Sequence, residues 1–136
     1  MSDTKISNLE PIEGLKNLKN ISINNSQIKD LLSIKMFSNL QYLSCDNTMI
    51  SDLEPIKQLS NLTFVSFRNS KVKNIEPLKN LINLNDIYLD RCQIHDLNPL
   101  NQLKNLKKIG LDKCENITEE QVKNLQKALP NLEIYR

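Results

Sequence analysis

The sequence predicts an α/β solenoid, a stack of short parallel strands each followed by a return arm, and three observations carry that prediction. An apolar pattern recurs every 22 residues through most of the 136-residue chain. Within each copy the apolar spacing changes from two to three. The last copy is longer than the others and carries helix signals they lack. Self-similarity at a fixed period of roughly 20–50 residues marks units that cannot bury their apolar faces alone and must stack.

Residues 84–105, LNDIYLDRCQIHDLNPLNQLKN, show the change of spacing. Leu84, Ile87 and Leu89 end in alternation, as a short strand with one buried face does. Ile94, Leu97, Leu100 and Leu103 step by three, as a tight helical or 3₁₀ turn would. Copies begin at Leu18, Leu40, Leu62, Leu84 and Leu106. The fourth position reads Ile21, Leu43, Val65, Ile87, Ile109, and the sixth reads Ile23, Cys45, Phe67, Leu89, Leu111. The arms align as well, for example Ile34, Ile56, Leu78 and Leu100. The expected organisation is one domain over 1–136. It comprises a partial repeat (1–17), four 22-residue repeats (18–105) and a longer C-terminal unit (106–136) with a helix and a terminal strand.

In chain order, Ile6–Asn17 matches only the second half of a unit, so the sequence enters in a return arm with no capping helix evident. The arms carry Glu10-Pro11, Glu54-Pro55, Glu76-Pro77 and Asn98-Pro99, where proline fixes φ and begins a turn. Leu32-Ser33 replaces that pair in the first full repeat, so this arm is expected to be looser or more helical. In the last unit Thr118-x-x-Gln121 forms a capping box, with Glu119 and Glu120 at the positive end of the helix. Val122, Leu125, Ala128 and Leu129 form its buried stripe, Pro130 ends it, and Leu132–Tyr135 adds a strand. The register of that strand is open, because Leu129/Leu132/Ile134 and Leu132/Tyr135 both align with earlier units.

The pattern L-x-x-L-x-L-x-x-(N/C/T)-x-L in each unit resembles the leucine-rich repeat family over nearly the whole chain. The 22-residue length and the proline-bearing arm are similar to the subclass of bacterial internalins and a eukaryotic phosphatase-1 regulator. The final LDKCENITEEQVKNLQKAL resembles the cysteine-containing class. The resemblance implies a curved right-handed superhelix, with strands on the concave face and 3₁₀ or irregular arms on the convex face. It also implies a protein-binding role without fixing a ligand.

Composition narrows the function. A formal net charge of +2 gives no overall field for nucleic acid or membrane. Two glycines and no Gly-x-Gly loop argue against a phosphate cradle. No stretch approaches the roughly 18 apolar residues of a membrane span, and MSDTKISNLEPIEG has no apolar signal-peptide core. Three cysteines without a framework spacing fit a reducing compartment. A cytoplasmic location is the expectation, with secretion by a signal-independent route left open, and no cofactor is expected.

Residues flanking the buried strand positions should face the concave surface. They form the triplets Asn20/Ser22/Asn24, Tyr42/Ser44/Asp46, Phe64/Ser66/Arg68, Asp86/Tyr88/Asp90 and Lys108/Gly110/Asp112. Tyr42, Phe64 and Tyr88, beside Asp46, Arg68, Asp86, Asp90 and Asp112, have the composition of an interface hot spot. The plainer reading is cross-strand packing of β-forming aromatics. Ser22, Ser44 and Ser66 stack, but no histidine shares their register, so a hydrolase triad is not expected. Ser26, Thr48, Ser70, Cys92 and Cys114 form an inward column whose hydroxyls and thiols suit backbone groups at the strand exit. A Cys92–His95 metal pair is disfavoured, because a closed zinc site needs four ligands and His95 should face solvent. Glu119 and Glu120 fit helix-end charge better than acid–base catalysis. Lys104, Lys107, Lys108 and Lys113 read as a solvated face. The sequons at Asn61 and Asn116 read as incidental in an Asn-rich chain. The expectation is a non-enzymatic module that binds a partner protein on its concave face, in a regulatory, inhibitory or host-interaction role. The alternative is a structural or self-associating subunit, or a fragment of a larger leucine-rich repeat protein, stacking end to end; otherwise the chain is expected to be a monomer.

Overall fold

The computed structural model describes residues 7–136; the expectation for Ile6 lies outside them. Six three-residue strands form one sheet in chain order: β1 (Asn20–Ser22), β2 (Tyr42–Ser44), β3 (Phe64–Ser66), β4 (Asp86–Tyr88), β5 (Lys108–Gly110) and β6 (Glu133–Tyr135). Every pairing is parallel, and from β1 to β5 each strand residue faces its equivalent 22 positions on. One helix, α1 (Glu119–Ala128), lies between β5 and β6. Among the described residues no helix is long and apolar enough to cross a membrane.

The return arms are short 3₁₀ turns at Glu10–Ile12, Leu32–Met36, Glu54–Ile56, Glu76–Leu78 and Asn98–Leu100. The four with proline run three residues; the Leu32–Met36 arm, which lacks it, runs five, the more helical of the two expected outcomes. Asp30, Asp52, Asn74 and Asp96 begin the arms, each accepting a hydrogen bond from the backbone N–H two residues on. That is the local turn chemistry of Asx residues.

Between strands and arms lies one apolar column stack. Phe37, Leu40, Leu43, Ile56, Leu62, Val65, Phe67, Ile87 and Leu89 are wholly inaccessible. Each unit closes on the next, since a lone unit offers its side chains only one covered flank. The last unit behaves as its capping box dictates. Thr118 Oγ1 accepts from the Gln121 N–H, and the Gln121 side chain accepts in return from the Thr118 N–H. Leu125 and Leu129 are buried, and Val122 and Ala128 pack against the core. The open register of the last strand resolves to Ile134 opposite Ile109, which puts Tyr135 beside Gly110.

Candidate interaction face

Alternation in the strands turns the fourth and sixth positions to the core and the third and fifth to the opposite face of the sheet, where the third positions of β2 to β5 are partly exposed while Ser44, Ser66 and Gly110 at the fifth are covered by their neighbours. Tyr42 and Phe64 are cross-strand partners, and their rings stack with centroids 4.3 Å apart and planes 9° from parallel. Phe64 and Tyr88 follow at 5.7 Å and 45°. The Arg68 guanidinium lies 4.0 Å from the centre of the Tyr88 ring, a cation–π distance. The three aromatics foreseen from the sequence are therefore one contiguous strip, half-buried by their own contacts.

Arg68 is clamped from both sides. Its Nε donates to Asp90 Oδ2 at 3.0 Å, and its Nη1 lies 3.6 Å from Asp46 Oδ2. Asp46 is engaged further, because its Oδ1 accepts from Ser66 Oγ at 2.5 Å and from the Arg68 N–H at 2.8 Å. Asp90 Oδ1 accepts from the Asp112 N–H at 3.0 Å. Asp46, Arg68 and Asp90, candidates for meeting a partner, thus spend much of their bonding capacity within the sheet face. Among the described residues the Asp86 and Asp112 carboxylates take part in no hydrogen bond or ion pair.

One device was missed by reading rows singly. The fifth-position serine of one repeat donates to the seventh-position Asx of the repeat before it. Ser44 Oγ donates to Asn24 Oδ1 at 2.8 Å, and Ser66 Oγ donates to Asp46 Oδ1. Where the seventh position is Arg68, no acceptor is on offer, and the fifth position of the next repeat is Tyr88 rather than serine. The serine column is thus explained as scaffold, and the signal was this pairing of two columns across rungs. Gly110, the fifth position of its rung, owes its role to contacts that a single repeat does not display. A Cβ there would sit 2.5 Å from Asp90 Oδ2 and 2.7 Å from Tyr88 Cδ1. Its bare Cα is what allows Asp90 and Tyr88 to lean across β5.

The inward polar column behaves as expected at four of its five rungs. Thr48 Oγ1 donates to the Cys45 carbonyl at 2.7 Å, Cys92 Sγ to the Phe67 carbonyl at 3.0 Å and Cys114 Sγ to the Leu89 carbonyl at 3.1 Å. Ser70 Oγ lies 3.5 Å from Cys92 Sγ. Ser26 Oγ is the buried exception, with no hydrogen-bond partner among the described residues. Burial pushes all three thiols above their ordinary pKa, Cys114 to about 11, so none is a ready nucleophile. His95 is exposed, and among the described residues no group of three His, Cys, Asp or Glu is placed to hold a metal ion.

Comparison with known proteins agrees with this geometry. Residues 38–80 match a family model described as leucine-rich repeats in two copies. No curated protein matches the chain. Among solved structures, a leucine-rich repeat protein of Leptospira interrogans is 28% identical, with a TM-score of 0.86 over 96% of this chain and 34% of that one. Internalin C2 of Listeria monocytogenes is 26% identical, with a TM-score of 0.83 over 98% of this chain and 57% of that one. An internalin, InlF, of the same organism is 24% identical, with a TM-score of 0.82 over 90% of this chain and 35% of that one. The chain spans between about a third and somewhat over half of the solved chains it matches.

Proposed function

The chain is built of leucine-rich repeats, and on that premise we propose that it is a non-enzymatic module that binds a partner protein on its sheet face. The observation that supports this reading is the aromatic strip Tyr42–Phe64–Tyr88, partly exposed and flanked by Arg68. Aromatic side chains held rigid before contact lose little freedom on binding, and such groups dominate interface energies. Phe64 has no polar atom to reward exposure, so its place on the outer face suits a surface that is covered in use. Asp46, Asp86, Asp90 and Asp112 set the orientation of that partner by charge. Three free cysteines suit action in a reducing compartment.

The test is capture of a partner from an extract, followed by affinity measurement with the Phe64→Ala/Tyr88→Ala double variant. Binding through this face predicts a loss of at least about 2 kcal/mol. A partner that keeps full affinity for the double variant, folded by circular dichroism, excludes the sheet face as the binding surface.

A further inference from the structure

The charge on the sheet face differs from that of the chain. Its third, fifth and seventh positions carry five carboxylates: Asp46, Asp86, Asp90, Asp112 and Glu133. Against them stand two cations, Arg68 and Lys108. These positions thus hold a surplus of three negative charges, bordered by Arg91 beside Asp90 and Asp112, on a chain whose formal net charge is +2. Hydrogen bonds from hydroxyls and N–H groups to Asp46 and Asp90 fix those carboxylates without neutralising them. Tyr42 and Phe64 turn their ring faces to each other and Arg68 covers that of Tyr88, so the strip adds apolar area to this face rather than charge. Asp86 sits between Phe64 on one neighbouring strand and Lys108 on the other. Asp112 lies at the exit of β5, with its carboxylate unbonded.

We propose that the partner presents a basic segment to this face, with an apolar or aromatic side chain set on Phe64 and Arg or Lys side chains directed to Asp86 and Asp112. The proposal rests on the binding role assigned to the sheet face above and names the chemistry of what is bound. An acidic partner would meet a net negative face, with Lys108 on the strands and Arg91 at its border as the unclamped cations, since Arg68 is held between Asp46 and Asp90.

Two short fluorescein-labelled peptides test it by fluorescence polarisation: one alternates Arg with Phe, and the other has Glu in place of Arg. The wild-type chain should bind the Arg peptide at least about tenfold more tightly than the Glu peptide at low salt, with the margin shrinking as sodium chloride is added. Asp86→Lys/Asp112→Lys alters only unbonded carboxylates and should abolish or invert the preference. Equal binding of the two peptides, a preference for Glu, binding of neither, or an unchanged preference in the charge-reversed variant overturns the proposal. The two readings fail separately. Should Phe64→Ala/Tyr88→Ala weaken a captured partner while charge reversal strengthens it, the face binds but the partner is not basic. Should the aromatic variant bind that partner as wild type does, the sheet-face reading itself fails.

Discussion

Five residues hold the left-handed backbone conformation at the eighth repeat position: Asn25, Asn47, Asn69, Arg91 and Lys113, with φ between 52° and 61°. Outside glycine that conformation costs on the order of 1–2 kcal/mol, and asparagine is among the few side chains that ease it. The three asparagines also join across rungs, Asn69 Nδ2 to Asn47 Oδ1 at 2.9 Å and Asn47 Nδ2 to Asn25 Oδ1 at 3.0 Å. Arg91 and Lys113 occupy the same conformation without that relief. Arg91→Asn should raise stability by about 0.5–1 kcal/mol in urea unfolding, with Lys113→Asn following in the same direction. Cys114 gives a second residue-scale expectation. Its thiol ionises near 9 when unfolded and near 11 in the fold, because burial penalises the thiolate. The unfolded chain therefore releases this proton first, so stability is intact below about pH 9 and declines from there to about pH 11. Cys114→Ser should flatten that alkaline decline in chemical denaturation measured across pH.

Among the elements, β5 and α1 make the sharpest contrast. Gly110→Ala brings a methyl group to 2.5 Å from Asp90 Oδ2. Asp90 and Tyr88 must then move, loosening the clamp on Arg68 and costing about 1–3 kcal/mol. Thermal melting reads that cost, and aromatic ring NMR shifts of Tyr88 report the displaced Arg68. Thr118→Ala removes the acceptor of the capping box and should cost about 1 kcal/mol, with hydrogen exchange rising first in the initial turn of α1. The capping box was legible because its partners lie three residues apart, within the reach of a local pattern. The register of β6 was not, because it depends on where α1 returns the chain, and Leu132 and Ile134 break the three-residue spacing of the earlier units. The length of the Leu32–Met36 arm was open for a similar reason. Loss of proline removes a restraint without dictating what replaces it.

At the scale of the whole molecule, stability is a property of neighbouring rungs. Leu59 and Leu15 occupy the same column, but Leu59 lies within the stack at 2% exposure while Leu15 is 55% exposed. Leu59→Ala should cost about 2–5 kcal/mol by opening a cavity between rungs, whereas Leu15→Ala should change stability by about 0.5 kcal/mol or less. Equal effects in urea titrations would mean that the column is not the unit of stability. The apolar columns and the aromatic face were readable because identical spacing recurs five times. The serine–Asx bonds escaped because donor and acceptor lie 20 residues apart, in different columns of different rungs. Those bonds have a common direction. Ser44 reaches back to Asn24, Asn69 to Asn47, Cys114 to the Leu89 carbonyl and Asn105 to the Ile82 carbonyl, each donor in the later rung and each acceptor in the earlier one. Among the described side chains of the sheet face, Arg68 alone donates forward, to Asp90. The backbone runs both ways: Tyr42, Phe64, Asp86 and Lys108 donate to the rung before, while Ile23, Cys45, Phe67 and Leu89 donate to the rung after. A chain synthesised from its N-terminus thus lays down side-chain acceptors before their donors, but each rung's forward-pointing N–H groups stay open until the next rung is made.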